Sequence, residues 1–133
     1  MGITVDTSYV VDYLRDDEGA LAKSEEFDRR REAKFLSTPV LYEISAGLLH
    51  RRSRSETAAF RALASSFVLL PFDESSAMIA AEIRAELLRL GRLKGNVDVM
   101  IAGIAAAGGH SLITRDEDFR AISEIVTLSL ESY

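Results

Sequence analysis

Four carboxylates, Asp6, Glu43, Asp98 and Asp116, stand at positions from which they can meet. Asp6 directly follows the β-prone run Ile3-Thr4-Val5, and Asp116 lies just past Thr114 at the end of another such run. Asp98 falls in the first turn of a helix, and Glu43 sits one turn into the helix that follows Thr38-Pro39. In an open α/β sheet, ligands bind beyond the carboxyl ends of the strands, so all four acids can face one rim. Gathered there with no lysine or histidine nearby, they repel one another, which raises their pKa values or destabilises the fold. A divalent cation resolves that conflict. Hard oxygen ligands suit Mg²⁺ or Mn²⁺, and such an ion can activate water and stabilise the charge that builds on a phosphodiester in an in-line displacement. The chemistry implied is phosphodiester hydrolysis.

Each acid also has an ordinary explanation. An aspartate after a strand is a common helix N-cap, which covers Asp6 or Asp98 taken singly, while Asp116 and Asp118 are turn formers before Phe119. Glu43 is harder to explain, because it interrupts the apolar pattern Val40, Leu41, Ile44 on a helix expected to pack on a sheet. The coincidence of all of them at one edge carries the case.

The elements that must position these groups follow from apolar periodicity and helix-boundary residues. Residues 3–5 predict a first strand, and Val10, Val11 and Leu14 a helix behind Asp6-Thr7-Ser8. Residues 18–34 are strong helix formers with a thin apolar face, a surface helix. Residues 35–38 read as strand two. Thr38-Pro39 opens a helix carrying Val40, Leu41, Ile44, Leu48 and Leu49, and Ser55-Glu56 opens another that runs to Ala64. The continuous apolar run 67–71 predicts a buried third strand. Asp73 or Ser75 caps a long helix to about Leu90; a helix from residues 96–98 stops at Gly108-Gly109. Residues 111–114 and 125–128 are the last two strands. Short strands alternating with helices imply right-handed crossovers and a mainly parallel sheet of four to five strands, covered on both faces in a three-layer α/β/α arrangement. With 133 residues and no internal repeat or linker, a single domain over 1–133 is expected.

Four segments in order, Val5-Asp6-Thr7-Ser8, Glu43 behind Thr38-Pro39, Asn96-Val97-Asp98-Val99-Met100-Ile101-Ala102 and Leu112-Ile113-Thr114-Arg115-Asp116-Glu117-Asp118-Phe119, resemble the successive motifs of PIN domains over the whole chain. The compact length resembles the VapC branch, Mg²⁺- or Mn²⁺-dependent endoribonucleases held inactive by a cognate antitoxin. That resemblance implies a homodimer, a tRNA or rRNA target, and metal ligation by Asp6, Asp98 and Asp116 with Glu43 assisting. Ser8, Thr114 and Asp118 flank these acids and are read as their supports. Many VapC-type sequences carry Asn where Asp116 stands and the acid where Asp118 stands; Asp116 is favoured here as nearer the strand end.

The net charge of −5 argues against binding nucleic acid through bulk positive charge. A metal-loaded carboxylate cluster would offset that balance locally, so charge is read by region. Arg29 to Arg31 fit a solvated helix face, whereas Arg51, Arg52 and Arg54, and Arg92 and Lys94, either flank an RNA path or complement helix termini. His50 and His110 lie outside every motif. Leu41, Ile44, Leu48, Leu49, Phe60 and Leu63 form either ordinary core or a groove between two helices, and the family resemblance favours a groove receiving an antitoxin segment. No cysteine is present, which excludes thiolate metal sites and fits a reducing, cytoplasmic setting. No export signal is visible, and the weakly polar stretch 99–109 falls far short of the roughly 20 residues that span a bilayer, so no membrane association is expected.

Two rival functions remain. A non-catalytic PIN-like module would bind RNA or act as a scaffold. A response-regulator receiver also gathers acids around Mg²⁺, yet it would want paired acids after strand one, an aspartate after strand three and a lysine after the last strand; here Leu70-Pro71 ends strand three and no lysine follows 125–128.

Overall fold

Parallel pairing of short strands dictates where the helices lie and where the acids meet. The structure, a computed structural model, describes residues 2–92 and 94–133. In chain order its elements are β1 (Gly2–Val5), α1 (Thr7–Leu14), α2 (Glu18–Arg30), β2 (Ala33–Ser37), α3 (Thr38–Arg51), α4 (Arg54–Ala64), β3 (Val68–Leu70), α5 (Glu74–Arg89), α6 (Asn96–Gly108), β4 (Ser111–Ile113), α7 (Asp118–Ser123) and β5 (Ser129–Glu131). The sheet order is β3-β2-β1-β4-β5, and every pairing is parallel. This is the α/β architecture expected from the alternation of strand and helix signals. The chain adds strands on one side of β1 and then returns to add β4 and β5 on the other. The reversal opens a crevice between the carboxyl ends of β1 and β4.

Helix starts are chosen by side chains that satisfy otherwise unpaired amides. Asp6, Asp17 and Asp73 each accept from the backbone N–H three residues on, that of Tyr9 at 2.8 Å, of Ala20 at 2.9 Å and of Ser76 at 2.9 Å. The cap of α5 is therefore Asp73. The core is aliphatic and fully enclosed: Ile3, Val5, Val40, Ile83, Leu87, Ile101, Leu112 and Ile113 are buried, with Phe119 and Ile122 closing it beneath α7. No helix of the described residues is long and apolar enough to cross a membrane.

Several features differ from the sequence reading. The helix expected over 18–34 ends at Arg30, because Arg31 adopts the left-handed conformation (φ 55°) and Lys34 pairs opposite Ile3 as part of β2. Sheet pairing there overrides helix propensity. The third strand is not buried: Val68 is 62% and Leu69 52% exposed, because β3 is the sheet's edge and its outer side is uncovered. The fifth strand begins at Ser129, opposite Ser111, rather than at residue 125. Ile125 and Val126 instead donate their amides to the Ile122 carbonyl, so the apolar run turns and packs on the core before pairing begins.

Helices α5 and α6 approach closely at Gly103, where a Cβ would lie 2.7 Å from the Ser76 carbonyl oxygen. Gly103→Ala must push the two helices apart. We expect it to destabilise the protein by about 1–3 kcal/mol, read as a lower urea midpoint with an unchanged slope; an unchanged midpoint would show that the helix pair adjusts freely.

Candidate metal centre

Asp6 leaves β1 and caps α1, so the backbone holds its carboxylate at the crevice; the residue is only 2% exposed. Oδ1 accepts from the Tyr9 amide at 2.8 Å and Oδ2 accepts from the Thr114 hydroxyl. Thr114, buried at the end of β4, in turn accepts from the Asp116 amide at 2.9 Å, and Asp116 Oδ1 accepts from the Asp118 amide at 2.9 Å. This chain of hydrogen bonds runs from β1 across β4 into the turn before α7. It spaces three of the acids by backbone geometry rather than by free rotamers.

From the other direction, the N-terminal turn of α6 brings in Asp98. Carboxylate oxygens of Asp98, Asp116 and Asp118 lie within 4.8 Å of one another. Burial pushes Asp6 up to about 6, opposed by its hydrogen bonds from Thr114 and Tyr9 and reinforced by the charges of Asp116 and Asp98. Burial likewise pushes Asp98 up to about 6, with Asp116, Glu43 and Asp118 adding to it and Lys94 opposing. Glu43 thus acts electrostatically on Asp98 from α3, where one of its oxygens accepts from the Thr7 hydroxyl. The five acids form one electrostatic unit.

The positions named from the sequence divide accordingly. Carboxylate oxygens of Asp98 and Asp116 come together with one of Asp118, and Asp6 and Glu43 act on this group electrostatically. Thr114 lies at the hub. Ser8 is exposed; its neighbour Thr7 reaches Glu43, which the sequence reading missed. Because Asp6 is the cap, Thr7 is the first helical residue, and that register was available in the sequence. The expectation that no lysine stands near the acids is corrected: Lys94 Nζ lies 2.7 Å from Asp118 Oδ1. Lys94 precedes the helix by two residues and was visible only as part of a basic cluster.

The remaining basic candidates lie elsewhere or are engaged. Arg51 ends α3, eight residues past Glu43 and about 12 Å along the helix axis, and pairs with Glu56 at 2.8 Å. Arg52 and Arg54 flank the same α3–α4 turn. Arg92 sits 3.9 Å from Glu124. Arg115, between two site residues, donates to Asp17 at 2.9 Å and to the Tyr133 carbonyl at 2.9 Å.

The donor set fits a hard divalent ion. It is all oxygen, anionic, partly desolvated and short of positive charge, and its members raise one another's proton affinity, as groups awaiting a cation do. A model of the PIN domain matches residues 3–125. The chain belongs to the PIN domain family. Among solved structures, this PIN domain is similar to VapBC2 from Rickettsia felis bound to a promoter DNA fragment (23% identity, 99% of this chain and 98% of that one, TM-score 0.86). It is also similar to DNA-bound VapBC from Salmonella typhimurium (24%, 99% and 98%, TM-score 0.83). VapBC-5 from Mycobacterium tuberculosis, a member of the VapBC family of toxin-antitoxin systems, is a third (24%, 98% and 95%, TM-score 0.74). No curated protein matches the sequence.

The raised pKa values give a stability test. A carboxyl whose folded pKa lies above its unfolded value of 3.8 favours folding below about pH 4 and loses that contribution as pH rises through about 6. Asp98→Asn removes the penalty. Without divalent ions, the variant should melt higher than wild type at pH 7, and the difference should vanish by about pH 4. A difference constant with pH would mean that Asp98 is not held under charge strain.

Proposed function

We propose that this PIN domain is a Mg²⁺- or Mn²⁺-dependent endoribonuclease and the toxin of a toxin–antitoxin pair. The observation that carries the reading is the cluster of Asp98, Asp116 and Asp118 carboxylate oxygens within 4.8 Å beside buried Asp6, at the sheet's crevice. A bound divalent ion would supply an activated water and charge stabilisation at the scissile phosphate. The chain's own residues do the placing. Asp6, Asp98 and Asp116 would be the ligands, Asp118 would extend the set, and Thr114 ties the Asp6 carboxylate to the backbone amide of Asp116. Thr7 holds Glu43 by Oε1, leaving Oε2 to orient a water beside the ligands. Ser8 lies exposed at the same rim, in reach of an incoming strand. Lys94 stands beside the acids, and Arg92, Arg51, Arg52 and Arg54 would meet only a longer, folded RNA such as a tRNA or rRNA.

A groove of about 560 Å³ between α3 and α4 continues onto the exposed edge of β3, lined by Leu36, Leu41, Leu48, Leu49, Phe60 and Leu69. Leu49 is 77% exposed there. A continuous apolar surface of this kind suits an amphipathic antitoxin segment. The similar structures are VapBC proteins, which supports that partner and a cytoplasmic setting. A homodimer would use the apolar surface of the helices over residues 40–63, where Tyr42 and Leu49 are exposed. Light scattering at low micromolar concentration is expected to give twice the chain mass; a monomer throughout would remove the dimer.

The nuclease itself is tested by cleavage of unstructured RNA with Mg²⁺ or Mn²⁺. Asp6→Asn should lower the rate by more than about 100-fold, since even groups outside the ligand shell commonly cost 10- to 100-fold, while leaving the far-UV spectrum unchanged. Wild-type rates in the variant, or activity that survives chelation, would contradict the metal-nuclease reading and favour a non-catalytic RNA-binding scaffold.

A further inference from the structure

Lys94 is the positive group held against the acid cluster. Its ammonium lies 2.7 Å from Asp118 Oδ1 and its side chain is only 18% exposed. Its carbonyl accepts from Arg84 Nη1 at 3.2 Å, which anchors the backbone from which the side chain extends. Asp118, 24 residues on, is thereby tied to a cation that comes from the segment before α6. Arg115, the nearest basic neighbour in sequence to Asp116, is committed to Asp17 and Tyr133 and does not serve this purpose.

A monovalent ammonium on Asp118 occupies the electrostatic role that a divalent ion would take over. Asp118 belongs to the oxygen cluster suited to that ion, so ammonium and ion compete for the same carboxylate. A bound ion would repel the Lys94 ammonium and weaken its hold on Asp118. A flexible four-carbon stem with three donors would then stand beside a less negative cluster, within reach of a phosphate of the substrate strand.

Resting on the metal-nuclease reading, we propose that Lys94 is an exchangeable counter-ion, pairing with Asp118 until a divalent ion displaces it and then holding a phosphate oxygen of single-stranded RNA. It couples ion loading to substrate binding. Without the ion, the cluster repels the RNA backbone and the Lys94 ammonium is occupied. With the ion, part of the cluster's negative charge would be offset at Asp118 and the ammonium would be freed for the strand.

A structural ion pair and a handed-over counter-ion differ in sign. Lys94→Gln removes a cation that competes with the ion, so Mn²⁺ affinity, measured by calorimetry without RNA, should increase severalfold. The same variant removes a phosphate contact. With Ca²⁺ present as an oxygen-seeking ion, its affinity for a short labelled single-stranded RNA, followed by anisotropy, should fall about five- to tenfold near 0.15 M salt, and the slope of log affinity on log salt should shrink by about one. Lys94→Arg should restore the slope. Asp118→Asn, which frees the ammonium, should strengthen RNA binding in chelator while weakening Mn²⁺ binding. If Lys94→Gln moves both affinities in the same direction, or moves neither, the handover is wrong and the pair is structural. If wild type binds Mn²⁺ nowhere in the millimolar range, the metal reading fails and this inference falls with it.

Discussion

Mutual repulsion among carboxylates that the fold does not let separate is the constraint on which the rest of this structure depends. Asp6 is fixed by the end of a strand and by its cap on α1, Asp116 by Thr114, and Asp118 by Asp116; Asp98 arrives on a helix whose packing against α5 permits little movement. Asp6 in particular cannot reach solvent without breaking its bonds from Tyr9 and Thr114. The consequence is visible in two of them: Asp6 and Asp98 are both pushed to about 6 by burial and by their neighbours. A cluster kept under such strain is costly to folding and useful only if something positive repays it.

The sheet supplies the place. With order β3-β2-β1-β4-β5, crossovers leave β1 and β4 in opposite directions and the crevice between them is lined by the residues that follow each strand. Thr4 pairs with Leu112 and Val5 with Ile113, so Asp6 and Thr114 come opposite each other by register alone. A slip by one residue would turn Asp6 away from Thr114, which ties site geometry directly to pairing of the buried strand faces. Lys23, Arg30 and Glu131 pair across α2 and β5 at 2.7–3.1 Å, closing the sheet's last edge, and the Glu131 carbonyl accepts from the Thr114 amide at 2.9 Å.

Much of this was legible in the sequence, and the remainder was hidden for physical reasons. Strands β1, β2 and β4 and the caps at Asp6 and Asp73 follow from local residue types, because caps and buried parallel strands leave local signatures. The exposure of β3 was not legible: Val68 and Leu69 read as core, since an apolar run reveals a sheet strand but not whether another layer covers it. The fifth strand was misplaced because Ile125 and Val126 bury themselves in a turn, and their hydrophobicity carries no record of pairing. In the site, acids adjacent to strand ends could be found one by one. The contacts between distant residues, Thr7 with Glu43 and Lys94 with Asp118, depend on how α1 meets α3 and on how the segment before α6 meets α7, which no local pattern encodes.

Whether the strained carboxylates exist to hold an ion is answered most directly by anomalous scattering from crystals of this protein grown with Mn²⁺. The account predicts a manganese peak bounded by oxygens of Asp98, Asp116 and Asp118 on the side of Asp6. An empty cluster in crystals whose Mn²⁺ sits elsewhere, or an ion bound only by exposed carboxylates outside the crevice, would contradict it.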